Sequence, residues 1–207
     1  MANLLVKIVR RLYRKPQIKR LIVPCKSLDG ALLTYQARIP LDIELLPSDV
    51  EEVEDCLAHI PPEHRFDVAR RIQHGDRCCV ARHAGQIVYV TWIAFGACYS
   101  YALDREYKLT QEDAYLYSAY TLPEFRGNGI HPAAHCHIAR LLKDWGYRWL
   151  LCFIEPENTA AMRLPDKLGY EKIGVIGFVE VFGFRRYFHR DCRACSALRR
   201  QDGWRKM

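Results

Sequence analysis

Apolar and polar positions alternate along this chain in two rhythms, one helical and one strand-like. Between residues 4 and 14, Leu4, Leu5, Val6, Ile8, Val9, Leu12 and Tyr13 share one side of a helical wheel, and Lys7, Arg10, Arg11 and Arg14 fill the other. That pattern predicts a basic amphipathic helix. Pro16 and Pro24 interrupt it, and residues 20–23 read as an extended connector. Residues 42–46 form a short apolar strand. Ser48, with Glu51 three residues later, gives a capping box that opens a helix running through Leu57 to Ile60. Pro61-Pro62 ends that helix, and residues 64–73 make a second.

After a turn at Gly75-Asp76, residues 78–82 and 87–95 read as a hairpin around Ala84-Gly85. Residues 96–110 are a polar, tyrosine-containing excursion. A fourth strand (115–122), a helix (132–145), a fifth strand (148–154) and a helix (157–168) follow, and a final hairpin over 170–181 and 184–188 turns at Phe182-Gly183. The strand–helix–strand unit over 115–154 demands a parallel pair within an otherwise antiparallel sheet, so the class is α/β or α+β. Three segments result: an N-terminal helix and connector (1–28), a folded domain (41–189) and a basic tail (190–207).

Charge sharpens that division. The chain of 207 residues has a net charge of +7. Residues 1–28 hold eight basic and no acidic side chains, residues 185–207 hold eight basic and two acidic, and the middle is left with 15 basic and 22 acidic. The basic excess therefore describes the two ends, and the body lacks the basic face that nucleic acid requires. No apolar run approaches the roughly 18 residues of a spanning helix, and the basic residues at 7, 10 and 11 interrupt what would be a signal-peptide core. Nine scattered cysteines, an odd number set mostly in apolar strings, suit buried reduced thiols in a cytoplasmic protein. The wheel over residues 4–14 suits either a groove on the domain or an anionic membrane surface, which would make the protein peripheral.

Candidate chemistry lies in the loop Leu122-Pro123-Glu124-Phe125-Arg126-Gly127-Asn128-Gly129-Ile130-His131-Pro132. Two glycines in a strand-to-helix turn permit positive φ and leave successive N–H groups pointing into the loop. The helix N-terminus adds unpaired donors and partial positive charge, so the loop can cradle a pyrophosphate. A second segment follows at a fixed distance: Asn158 opens a helix that Gly169-Tyr170 closes.

This pair of motifs resembles the GCN5-related N-acetyltransferase (GNAT) superfamily. Arg126 and Gly129 fit its loop pattern of Arg or Gln, two residues, Gly, one residue, Gly or Ala; His131 departs from it at the last position. Asn158, Ala161, Gly169 and Tyr170 fit its later helix. The resemblance spans residues 41–189 and implies a mixed, mostly antiparallel sheet whose central parallel pair splays apart to receive acetyl-CoA or another acyl-CoA. It further implies that Ala119, Tyr120 and Thr121 pair with the pantetheine arm, that Arg126, Gly127, Asn128, Gly129, Ile130 and His131 take the pyrophosphate, and that Asn158 contacts the pantetheine. The implied reaction is direct attack of an amine on the thioester carbonyl.

Two positions depart from the family's chemistry. The general-acid tyrosine seven residues after the helix-opening Asn is replaced by Pro165, and no carboxylate stands between Ala114 and Leu122, where the family's base is frequent. Glu155, just after the fifth strand, becomes the first candidate base, and Tyr117, with Tyr115 on the strand parity of Thr121, the second. His131 either crowds the phosphate or offers it a hydrogen bond or charge. His131 with His135, and the His189, Cys192, Cys195 string, lack a convincing ligand set, so no metal is expected. The acceptor, a small-molecule or peptide amine, would be shaped by residues 47–74 and 96–113. Two rival readings are a long-chain N-acyl amino acid synthase drawing on acyl carrier protein, and a non-catalytic acyl-CoA-binding module.

Overall fold

A computed structural model describes residues 15–190. Its frame is an eight-stranded sheet in the order β10-β9-β1-β8-β7-β4-β3-β2. The strands are β1 (Gln17–Ser27), β2 (Asp42–Leu45), β3 (Arg77–His83), β4 (Gln86–Phe95), β7 (Asp113–Thr121), β8 (Trp149–Leu151), β9 (Glu171–Val181) and β10 (Phe184–Arg190). A separate hairpin, β5 (Ala97–Ser100) with β6 (Arg105–Lys108), fills the excursion after β4. The described helices are α1 (Val50–Cys56), α2 (Val68–Gln73), α3 (Ile130–Asp144) and α4 (Thr159–Leu168). The sheet is mixed and mostly antiparallel; β7 and β8 form its one parallel pair.

The sequence placed residues 17–27 outside the domain, as a connector, and that placement is corrected here. They are extended, but they form β1 between β9 and β8, with Leu21↔Ile176 and Cys25↔Leu151 among the paired positions. The six successive buried residues Leu21 to Lys26 explain why: the segment is covered on both faces, and two prolines and three basic residues mask that apolar run in the sequence. The amphipathic segment 4–14 and Cys192 and Cys195 lie outside the described residues.

Two helical layers cover the sheet. Alternation along β3 assigns them: Cys78 and Val80 pack with Val53, Leu57 and Val68 of the α1–α2 region, whereas Cys79 packs with Ile138 and Leu142 of α3 and Leu164 and Leu168 of α4. Helix α1 begins one residue later than the capping box suggested. Asp49, rather than Ser48, accepts the N–H of Glu52 at 2.9 Å. The predicted helix over 64–73 is a 3₁₀ turn at Pro62–His64 followed by the short α2.

Residues 29–41 form a strap from β1 to β2 that runs along α3. Arg140 Nη2 donates to Thr34 Oγ1 at 2.9 Å, Lys143 Nζ donates to the Gly30 carbonyl, and the Arg38 N–H donates to the Asn128 carbonyl at 2.8 Å. None of the described helices is long and apolar enough to cross a membrane.

Candidate active site

The parallel pair is brief. β7 and β8 are in register only at Asp113↔Trp149, Ala114↔Leu150 and Tyr115↔Leu151. Beyond Leu151 the chain turns to β1, where the N–H groups of Cys152 and Ile154 donate to the carbonyls of Pro24 and Ile22 at 3.2 and 3.0 Å. Residues 116–121 of β7 therefore keep a backbone edge with no strand partner on that side among the described residues. A bulge distorts the same stretch: Tyr117 faces Trp92 and Tyr120 faces Val90, so Ser118 and Ala119 oppose the single Thr91, and Ser118 takes a φ of 51°. The bulge corrects the strand parity read from the sequence. Tyr120 and Leu122, not Thr121, share Tyr117's face.

Directly after this edge comes the glycine loop. Gly127 and Gly129 have φ of 83° and 73°, values reached at little cost only without a Cβ. Gly129 caps α3 without any side-chain hydrogen bond, so the N–H groups of Ile130 and His131 lack intrahelical partners by position. A Cβ at Gly129 would lie 2.8 Å from Cε1 of Tyr35, which the strap lays against the loop. An open strand edge running into an uncapped helix N-terminus fits a ligand with an amide-bearing arm and a pyrophosphate.

The loop's side chains mostly serve the loop. Arg126 Nε donates to the Thr121 carbonyl at 3.2 Å, and its guanidinium lies 5.7 Å from the centre of the Tyr120 ring, which in turn stacks on His64 at 3.7 Å. Asn128 Nδ2 donates to the Phe125 carbonyl at 3.0 Å. Ile130 is buried in the core beside Ala134. The His131 imidazole turns inward: its Nδ1 is 2.9 Å from the Tyr89 hydroxyl and its ring centre is 4.4 Å from that of His135. His135 Nδ1 in turn meets the Tyr170 hydroxyl at 3.1 Å. Burial holds His131 down to about 4, so it is neutral at pH 7. The imidazole, read from the sequence as either crowding a phosphate or bonding it, is turned to Tyr89, and what His131 leaves at the loop is its backbone N–H.

Asn158 accepts the Ala161 N–H at 3.0 Å and caps α4, and Pro165 lies buried within that helix. Glu155 is ion-paired with Lys19 Nζ at 2.8 Å, both side chains being partly exposed. Tyr117 stacks on Tyr115 with ring centres 5.4 Å apart and donates its hydroxyl to Asp76 Oδ2.

Comparison with known proteins decides the family. The sequence profile described as "Acetyltransferase (GNAT) family" matches residues 45–170. This chain belongs to the GNAT family. Solved structures agree on the fold. A Drosophila protein is 14% identical with a TM-score of 0.54, over 88% of this chain and 57% of its own. A GCN5-related N-acetyltransferase from Kribbella flavida is 16% identical (TM-score 0.53, 83% and 60%). A GNAT-family acetyltransferase from Novosphingobium aromaticivorans is 17% identical (TM-score 0.51, 78% and 65%). This chain thus spans between 57% and 65% of the length of those three. No curated protein matches it.

Within this GNAT fold, three residues at the site escaped the sequence reading. Asp76 passed as a turn residue, Arg71 lay unremarked in the helix read over 64–73, and Tyr35 lay in a segment given no element. Only Asp76 carried a usable signal, as a carboxylate placed immediately before a buried strand.

Proposed function

We propose that this chain is an N-acyltransferase that moves an acetyl or other acyl group from CoA to an amine. The observation that carries the proposal is the unpaired edge of β7 at residues 116–121 leading into the uncapped, glycine-bearing start of α3. Ala119, Tyr120 and Thr121 supply main-chain groups for the pantetheine arm. The backbone of residues 126–131 holds the pyrophosphate, with Arg126 at the rim, and Asn158 closes the far side from α4. CoA contributes a thioester whose thiolate departs readily near neutral pH, since an unperturbed thiol has a pKa of about 8.5.

The protein's share of the chemistry is to fix the thioester against the bulge and to accept a proton from the attacking amine. We assign the developing oxyanion to backbone N–H groups at the bulge, those of Ser118 and Ala119. Tyr117 and Glu155 are the candidate proton carriers. Glu155 starts from an ion pair with Lys19, and Tyr117 from a hydrogen bond to Asp76. Pro165 removes the usual tyrosine acid, which predicts a slow enzyme rather than an inert one.

The test is calorimetric titration with CoA, followed by thiol release from acetyl-CoA and longer acyl-CoA thioesters with a panel of primary amines. Micromolar CoA binding with amine-dependent thiol release is expected. Binding without release from any thioester, acyl carrier protein adducts included, would assign a binding module instead.

A further inference from the structure

Above the sheet on its α2 side, beyond the proposed thioester position, lies a notch of about 30 Å³. Its walls include Arg70, Arg71, Asp76, Tyr99, Tyr101 and Tyr117. A volume of this order holds one or two water-sized groups and no more. We propose that this notch receives the acceptor's unbranched primary amine, and that Tyr117 takes the amine proton while handing its own to Asp76. The inference rests on the transferase reading above and names the acceptor side of that site.

The β5–β6 hairpin forms one wall of the notch, and three further elements bring in the groups that act. Tyr117 stands two residues beyond Tyr115, the last position of β7 paired with β8, and immediately before the bulge. Its ring therefore sits where the strands part. Asp76 comes from the turn preceding β3; it is 8% exposed, and it accepts the Tyr117 hydroxyl. Because that hydroxyl spends its only proton on Asp76, its oxygen lone pairs remain to accept an N–H from the amine. Arg71, from α2, is 2% exposed. Its guanidinium lies 4.8, 5.0 and 5.1 Å from the ring centres of Phe66, Trp92 and Tyr117, and Nη2 donates to Ser118 Oγ at 3.2 Å. Nε and Nη1 have no hydrogen-bond partner. The guanidinium charge is thus presented to the Tyr117 ring, where it stabilises negative charge passing through the phenol oxygen.

The reaction balances without a further reagent. The amine nitrogen bonds to the acyl carbon, the carbon–sulfur bond breaks, and the thiolate leaves with its electron pair. The proton lost by nitrogen goes to the Tyr117 oxygen as the Tyr117 proton goes to Asp76. Asp76 is suited to hold that proton, because burial raises its carboxyl above the usual range, opposed by the Tyr117 hydrogen bond and by His74 and Arg71. Glu106 and the Tyr99 and Tyr101 hydroxyls complete the ionisable groups on the notch. Arg70 and Arg71 balance the two carboxylates, Asp76 and Glu106, so the notch holds no net negative charge to draw in an ammonium. Tyr117 is the catalytic residue in this scheme, and Asp76 a positioning residue that acts through it.

Thiol release from acetyl-CoA with n-butylamine, against tert-butylamine, between pH 6 and 9 tests the scheme in the wild type, Asp76→Asn, Asp76→Glu and Tyr117→Phe. CoA affinity is measured in parallel. Asn keeps an acceptor for the Tyr117 hydroxyl but cannot take its proton. The expected result is a fall in kcat of about 10²- to 10⁴-fold in Asp76→Asn and Tyr117→Phe. The acetyl-CoA KM and CoA Kd should be unchanged, Asp76→Glu should recover part of the loss, and tert-butylamine should be a poor acceptor. The acid limb of the wild-type kcat profile should vanish in Asp76→Asn. A wild-type kcat retained by both deleting variants overturns the relay and leaves the transferase standing. CoA binding by a wild type that turns over other primary amines but not n-butylamine overturns the notch and leaves the transferase standing; CoA binding with no thiol release from any thioester with any amine overturns both, and loss of CoA binding in the wild type sinks the reading beneath them.

Discussion

The two sides of the β7–β8 splay are built from different materials. On the proposed donor side, the groups left for a ligand are main-chain amides of residues 116–121 and 127–131, and the nearby side chains of Arg126, Asn128 and His131 are tied to the protein itself. On the acceptor side, the groups aimed inward are side chains, Asp76, Arg71 and Tyr117, drawn from three elements. A backbone-built site tolerates side-chain change and fails when the backbone is disturbed. A side-chain site responds oppositely, losing its chemistry to single-atom substitutions while the fold stands.

The largest expected effect comes from removing the strand that keeps the splay open. Truncation after residue 28 deletes β1, which pairs with both β8 and β9, and should abolish cooperative unfolding and CoA binding together. Truncation after residue 14 leaves β1 whole and should preserve both. The same shorter chain tests a membrane role for residues 4–14: loss of salt-sensitive binding to anionic vesicles, with CoA binding retained, would assign the anchor to that segment.

Gly129→Val attacks the donor side alone. The new Cβ meets Tyr35 at 2.8 Å in a backbone at φ 73°, and strain plus lost amide contacts should weaken CoA binding by about 3 kcal/mol. Calorimetry of the folded variant reads this directly, and a CoA affinity equal to wild type would remove the loop from the site.

His131 separates stability from binding. Its folded pKa of about 4 lies below the roughly 6.5 of an unfolded histidine, so the unfolded chain binds the proton more readily between those values. Stability is therefore full above about pH 6.5 and lost as pH falls toward 4, by about 2 kcal/mol at pH 5. His131→Gln should flatten that loss in denaturant melts, and CoA affinity between pH 6 and 8 should be the same in both proteins. A wild-type affinity that falls with rising pH, and does not in the variant, would return the imidazole to the phosphate.

Glu155→Gln should do least to stability. It breaks a partly exposed ion pair with Lys19, worth less than about 1 kcal/mol. Its kcat separates the two proton carriers: a loss on the scale expected of Tyr117→Phe would move the base to Glu155.

The geometry of the glycine loop and of the caps on the later helix was legible in the sequence because its determinants are local. Gly127, Gly129 and the start of α3 lie within a few residues of one another, and the Asn158 cap and the αL cap at Gly169 are signals of the same short range. The acceptor side was not, since Asp76 and Tyr117 are 41 residues apart and meet only after β3, β4 and β7 have paired. The bulge at Ser118 hid a further part, because it reverses the alternation that strand parity assumes. His131 misled for another reason: the motif located its backbone well, but only the packed core shows that its ring points to Tyr89.

Strand β1 also governs when this protein can finish folding. It precedes every other described strand, yet its partners are β8 and β9, at residues 149–151 and 171–181. Pairings of such long sequence separation close late and slow the search for the native state. During synthesis the apolar run from Leu21 to Val23 must stay unpaired until its partners have followed it, Ile154 bridging to Ile22 and Gly174 to Ile176 of β9 pairing with the whole run. Over that interval the nascent chain carries an exposed strand able to pair with a neighbour, which makes this early segment the expected origin of any misassembly at high expression.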